Sequence, residues 1–447
     1  MGGYLLYNCL IVTGENCFPG ALAVEGERIG RIWKEGDPDI EIYGKAHPEA
    51  ARLDLGSKVL MAGGIDAHVH FREPGMEEKA CIGTESKAAV LGGVTSFIDM
   101  PNTNPPTINA AALEDKLDRA SESSSANYGF HIGASNGNVH QIKELIYSSR
   151  RTGRCPFAGI KVFMGSSTGN MLVDSRRTLE EIFSIRERPV LVHSEDENTI
   201  RRNLAAAKER YGDDIPFSLH PAIRSREACI KSTARALDLA IRHRTRLHVL
   251  HVSTAEEVEM IREARKDNPL ITAETSPNYL WFSDKDYDTK KGRVKCNPAV
   301  KTLRDRDALR QAVRDGIIDT IGTDHAPHLL NEKERPYAAC PSGLPSIAES
   351  LSVLTTIFDR KEDLPLIARI FSENTARIFN IKDRGFLKPG YFADLVVLDP
   401  DDFFTLKKED VSYRCGWSPY EGTTLKGRVK KTFLSGGRPQ PLEFLPY

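Results

Sequence analysis

Eight short apolar runs between residues 60 and 328, each ending in polar or turn-forming residues, constrain this chain more than any other feature. They are Gly64 to His70, Val94 to Met100, Tyr128 to Ala134, Ala158 to Met164, Val190 to His193, Leu247 to Val252, Leu270 to Glu274 and Ile318 to Thr323. Runs this short and this continuously apolar suit parallel strands buried on both faces. Stretches of helical length separate most of them, among them Ala110 to Ser121, Thr178 to Arg186, Arg226 to Ile241, Ala255 to Arg265 and Arg304 to Arg314. Eight such units point to an α/β protein with a closed barrel, whose chemistry belongs at the C-terminal ends of the strands.

A barrel of about 250 residues leaves two end pieces of the 447-residue chain unexplained. Tyr4 to Leu55 and a tail carrying Ala393-Asp-Leu-Val-Val-Leu-Asp399 and Gly427-Arg-Val-Lys-Lys-Thr-Phe433 read as short strands with Gly/Pro turns. They are expected to pair into one small β-unit beside the barrel. Lys and Arg (61) nearly balance Asp and Glu (62), which gives no electrostatic case for nucleic acid or an anionic membrane. No apolar stretch reaches the roughly 18 residues of a membrane span, and Met1 to Glu15 lacks a basic-then-apolar signal pattern. The expectation is a cytoplasmic protein with a small-molecule substrate. Eight scattered cysteines without a Cys-x-x-Cys pair read as reduced and mostly structural, with Cys296 the candidate for a thiol near the active site.

Polar residues gather at the strand ends: His68 and His70, Asn102, Lys161, His193, His251, Asn278 and Asp324. In His68-Val69-His70 two imidazoles one residue apart on an extended strand face one side and can share a metal. With twelve histidines in the chain the pair alone is close to a chance event, but four strand-end histidines together favour ligation. His248 competes with His251, and the pleat turns it to the other face. Lys161 sits in an apolar strand where an ammonium would be buried, which lowers its pKa. It reads either as half of an ion pair or as a neutral amine that reacts with carbon dioxide, giving a carbamate able to bridge two metals. Asp324 follows the eighth run, where a carboxylate can both ligate and move protons. Glu73 and Glu78 read as loop charges, His131 and His325 as packing residues, and the charged stretch Leu329 to Cys340 as a candidate lid.

Together these residues resemble the amidohydrolase superfamily, and within it the dihydroorotases, with hydantoinases and allantoinases as near relatives. His68-Val-His70-Phe-Arg72-Glu-Pro74-Gly75 matches the opening His-x-His-x-Arg-x-Pro-Gly, and Pro101-Asn102-Thr103 a substrate-binding Pro-Asn-Thr segment. Asn297-Pro-Ala-Val-Lys301 departs from the usual Asn-Pro-Pro-Leu-Arg after its second residue. Asp324-His-Ala-Pro-His328, Pro341-Ser-Gly-Leu-Pro345 and Ser418-Pro-Tyr-Glu-Gly422 complete the likeness, which covers almost the whole chain.

The resemblance implies a distorted (β/α)8 TIM barrel of residues 59–385 beside a small β-sandwich built from residues 1–58 and 386–447, and two divalent metal ions, with zinc suited to the donor set. His68, His70 and Asp324 would serve one ion and His193 and His251 the other, bridged by carboxylated Lys161. It further implies a substrate-carboxylate clamp of Arg72, Asn102 and His328, a ring contact from Asn297, and Asp324 as general base and acid toward a metal-bridging hydroxide. The implied reaction is the interconversion of dihydroorotate and N-carbamoyl-aspartate in pyrimidine synthesis, by a homodimer able to associate with aspartate transcarbamoylase. Hydantoin or allantoin hydrolysis is the alternative, and a non-catalytic scaffold a third reading, although scaffolds tend to lose the ligands that stand here.

Overall fold

Each of the eight runs forms a strand. The computed structural model describes residues 3–165 and 171–447. Four strands precede the barrel: β1 (Tyr4–Val12), β2 (Cys17–Glu25), β3 (Arg28–Lys34) and β4 (Ala51–Ala62). The barrel holds β5 (Gly64–Val69), β6 (Val94–Asp99), β7 (Asn127–Phe130), β8 (Ile132–Gly133), β9 (Ile160–Phe163), β10 (Val190–His193), β11 (Leu247–Val249), β12 (Thr272–Thr275) and β13 (Thr320–Ile321). The chain then returns to the first sheet as β14 (Leu395–Thr405) and β15 (Thr424–Phe433).

All barrel pairings are parallel. The run Tyr128 to Ala134 supplies two strands because it changes partners midway. Asn127–Phe130 pairs with β6 and Ile132–Gly133 with β9, while His131 between them turns its Nε2 to the Ala67 carbonyl at 2.9 Å. The remaining seam lies between β5 and the segment after β13. Val69 and His325 form a parallel bridge, and the His70 N–H donates to the His325 carbonyl at 2.8 Å. The Asp66 carboxylate spans the same seam, accepting from the His68 N–H (3.1 Å), the Thr323 N–H (3.2 Å) and the Thr323 hydroxyl (2.5 Å). The barrel is closed, as the strand count predicts.

The outer helices begin at side-chain caps: Asn109, Ser175, Ser225, Thr254 and Thr302 each accept a backbone N–H of the first turn. Thr254 with Glu257 and Thr302 with Asp305 complete capping boxes. The helices run Ala110–Ser123, Arg176–Phe183, Arg226–His243, Ala255–Asp267 and Leu303–Arg314.

Both chain ends contribute to one six-stranded sheet of order β15-β14-β4-β1-β2-β3. Its strands alternate in destination, as a period of two requires. Along β4, Val59 and Met61 join the barrel core while Leu60 and Ala62 join a separate cluster with Leu6, Ile11, Leu22 and Leu395. No helix among the described residues is long and apolar enough to cross a membrane. All eight cysteines are free thiols.

One buried ion pair orients the site from below. Lys116 and Asp99, both fully buried, are in contact, and the other oxygen of Asp99 accepts the Phe71 N–H at 2.8 Å. Lys116 also donates to the Met100 carbonyl at 3.0 Å. Lys116→Met strands a carboxylate in the interior and is expected to cost about 3 to 5 kcal/mol, read as a lowered midpoint of denaturant unfolding.

Candidate active site

The six sequence-predicted ligands, His68, His70, Lys161, His193, His251 and Asp324, line one narrow cavity at the C-terminal mouth of the barrel. Arg72, Asn102 and Asn297 line it too. His328 does not. It is buried directly behind Arg72, its Nε2 3.1 Å from Arg72 Nη2. A larger open groove between helices Ala110–Ser123 and Val139–Thr152 lies away from all of these residues.

Two groups of donors converge. Asp324 Oδ1 lies 3.3 Å from His68 Nε2 and 3.1 Å from His70 Nε2, and one ligand atom from each residue falls within 4.8 Å of the others. His193 Nδ1 and His251 Nε2 stand 2.9 Å apart, and the His68 and His251 rings are 5.4 Å centre to centre. Burial holds all four histidines below their usual pKa, which keeps them in the neutral form that ligates. Burial alone would raise Asp324, but His68 and His70, with Lys161, outweigh it and keep the carboxyl ionised.

The far nitrogens of the imidazoles are also held. His68 Nδ1 donates to Glu274 Oε1 at 2.6 Å, His70 Nδ1 to Asn102 Oδ1 at 2.8 Å, and His193 Nε2 to Glu195 Oε2 at 3.0 Å. Such partners fix the ring orientation and tautomer of metal-binding histidines. Arg224 forms an ion pair with Glu195 in turn. Sequence reasoning missed Glu274 and Glu195. The signal available for Glu274 was the one used for Lys161, a charge in an apolar strand.

Lys161 is 1% exposed and, among the described residues, makes no hydrogen bond or ion pair; its Nζ lies 4.8 Å from the centre of the Phe163 ring. The ion-pair reading therefore finds no partner. Burial lowers its pKa to about 7, against the opposing pull of Asp324 and Glu274. With four histidines and a carboxylate converging around an unpartnered amine, the residues fit a binuclear metal centre.

Three of the cavity residues have left-handed backbones: Arg72 (φ 68°), His251 (φ 38°) and Asp324 (φ 49°). Non-glycine residues adopt this conformation at a cost of about 1 to 3 kcal/mol each, usually where function fixes the aim of a side chain. The far wall needs glycine at Gly343, because a Cβ there would meet the Ala326 carbonyl oxygen at 2.4 Å. The segment expected as a lid is tied down. Buried Lys333 donates to the carbonyls of Lys295, Pro341 and Gly343 at 2.8 to 3.0 Å, and Lys295 to those of Tyr337 and Cys340. Cys296 is buried with its thiol pushed up to about 12, which suits a structural thiol.

This barrel with its inward histidines defines a metal-ready hydrolase, and the likenesses agree. The model of the Amidohydrolase family matches residues 59–438. A dihydroorotase of Methanosarcina acetivorans is 33% identical over 427 residues, covering 93% of this chain and 87% of that one. An allantoinase of Streptomyces avermitilis is 32% identical over 441 residues, covering 97% and 94%. The solved L-hydantoinase (dihydropyrimidinase) of Arthrobacter aurescens superposes with a TM-score of 0.90 at 25% identity, over 99% of this chain and 100% of that one. The chain belongs to the amidohydrolase family. Within it, this protein is a cyclic amidohydrolase.

If Glu274 orients His68 toward a metal, Glu274→Gln weakens metal binding by about 10- to 100-fold. Titration of the metal-stripped protein against a chromophoric chelator reads this directly.

Proposed function

We propose that this protein interconverts (S)-dihydroorotate and N-carbamoyl-L-aspartate, with ring closure serving pyrimidine synthesis. The observation that carries the reading is Arg72. Its guanidinium is 1% exposed in the cavity wall, and among the described residues no carboxylate lies within ion-pair distance. Its hydrogen bonds go to the Pro327 carbonyl at 3.1 Å and to His328. Burial lowers its pKa to about 10 without discharging it at neutral pH. An unpaired buried cation is costly, and a carboxylate on the substrate ring relieves it through the planar fork of arginine. Hydantoin and allantoin carry no carboxylate. The allantoinase relative and the L-hydantoinase neighbour nevertheless make hydrolysis of an uncarboxylated ring the reading to test against.

His68, His70 and Asp324 would hold one divalent ion and His193 and His251 the other, zinc being suited to histidine-rich, oxygen-bridged donors. Lys161, buried and unpartnered, would hold both as a carbamate: the lone pair of its neutral amine attacks the carbon of carbon dioxide, an N–C bond forms as one C=O π pair moves onto oxygen, and a proton of the amine passes to solvent. Bound ions lower the pKa of water and polarise a carbonyl. The chain's own groups do the rest. Arg72 grips the ring carboxylate. The Asn297 Oδ1, buried without a hydrogen bond among the described residues, is placed to accept a ring N–H. Asp324, kept ionised by its histidines, takes a proton from the attacking water and returns it to the departing ring nitrogen; in synthesis both transfers reverse.

Turnover of dihydroorotate, hydantoin and allantoin by the zinc-loaded protein tests the substrate. Dihydroorotate is expected to have the highest kcat/KM, and a preference for either uncarboxylated ring overturns the reading. Arg72→Met is expected to lower kcat/KM for dihydroorotate by about 100-fold, the loss of roughly 3 kcal/mol that follows removal of one partner of a buried charge pair. Lys161→Ala is expected to remove nearly all activity and the acid-labile carbamate, seen as loss of a carbon-13 carbonyl signal after labelling with carbon dioxide. Retention of two ions per chain in this variant would show that another group bridges.

A further inference from the structure

Between β14 and β15 the chain returns to the barrel mouth, and residues 413–422 pack behind the loop that follows β13. None of their side chains lines the cavity. Trp417, fully buried, donates its indole Nε1–H to the His328 carbonyl at 2.7 Å. The Arg414 N–H donates to Glu85 Oε1 at 3.1 Å, and Glu85 Oε2 accepts from His325 Nε2 at 2.8 Å. The Tyr413 hydroxyl accepts the Ala348 N–H at 2.8 Å and contacts Glu349, and the Tyr420 hydroxyl donates to Asn278 Oδ1 at 2.9 Å. Lys290 donates to the Pro419 carbonyl at 2.8 Å from outside.

One of these bonds, that of Trp417, reaches a dipeptide, Pro327-His328, that matters to the cavity. The protein hydrogen bonds of the Arg72 side chain go to Pro327 and His328 alone among the described residues. His328 Nε2 also faces the Ser342 carbonyl at 3.1 Å, and its Nδ1 faces Lys79 Nζ at 3.3 Å, with Lys79 paired to Glu332 at 3.0 Å. The side-chain contacts of His328 thus set the ring, while Trp417 sets the backbone that carries it. A buried indole N–H needs an acceptor, and this one takes the main chain against which Arg72 rests.

We propose that residues 413–422 form a positioning strap, in which Trp417 fixes His328 and through it the guanidinium of Arg72. The consequence for a carboxylated ring rests on the function proposed above. Trp417 is a positioning residue that touches no reacting atom, so its removal acts on binding more than on turnover.

The test is Trp417→Phe in the full-length, zinc-loaded protein, with Tyr420→Phe as the control. The first deletes the N–H and keeps a ring; the second cuts a neighbouring strap bond that does not reach His328. Trp417→Phe is expected to raise KM for dihydroorotate about tenfold, the effect of leaving one buried carbonyl unpaired, with kcat within about twofold and zinc content unchanged. Hydrogen exchange across residues 325–330 is expected to quicken in this variant and in Tyr420→Phe to match the parent, with KM also unchanged. Unaltered exchange across 325–330 in Trp417→Phe, or the same KM shift from Tyr420→Phe, overturns the strap. Failure of the parent protein to turn over dihydroorotate sinks the functional reading alone, and exchange, which needs no substrate, still decides the strap.

Discussion

Everything at the mouth of this barrel depends on how the seam between β5 and the segment after β13 is closed. The first and last strands of a (β/α)8 barrel are far apart in sequence, and their pairing is the step that turns a curved sheet into a ring. Asp66 makes it specific, its carboxylate receiving two donors from Thr323 and one from His68. The register this imposes brings Asp324 beside the imidazoles of His68 and His70. A slip of one residue would send every side chain of β5 to the opposite face and separate the carboxylate from both rings.

Polar groups so deeply buried are tolerated only when nearly all are satisfied, and the arrangement here is layered. The ring nitrogens that face the cavity converge on one another, while Glu274, Asn102 and Glu195 hold the opposite nitrogens of three of them. Among the described residues, the cavity-lining atoms left without protein partners include Lys161 Nζ, the Asn297 Oδ1 and the His251 Nδ1, and behind the lining Glu195 Oε1 has none either. The first two are the places where ions and substrate would supply what the protein does not.

The eight strands could be read in the sequence because parallel strands buried on both faces leave a local signature that needs no knowledge of partners. Their lengths were less legible. Tyr128 to Ala134 reads as one strand yet splits at His131, because a barrel strand must satisfy two neighbours and only the assembled ring decides where it changes from one to the other. Pleat parity favours His251 over His248, and His251 is the residue in the cavity, but β11 ends at Val249 and a left-handed turn aims the imidazole. His248 instead bonds Thr272 Oγ1 at 2.8 Å. The tethering of residues 329–343 was invisible for a different reason: Lys333 reads as a surface charge, and only the fold shows three carbonyls arranged around its ammonium.

The link between Trp417 and His328 spans 89 residues, with the return strand β14 in between. Chains emerge from the ribosome in order, at about 5 to 20 residues each second, and can begin to fold as they do. The histidines and Asp324 are all available before Trp417 has been synthesised. A growing chain therefore reaches a stage at which the cavity histidines can assemble while the wall that carries Arg72 still lacks its bond to Trp417, and the setting of that wall is the last part of the cavity to be completed.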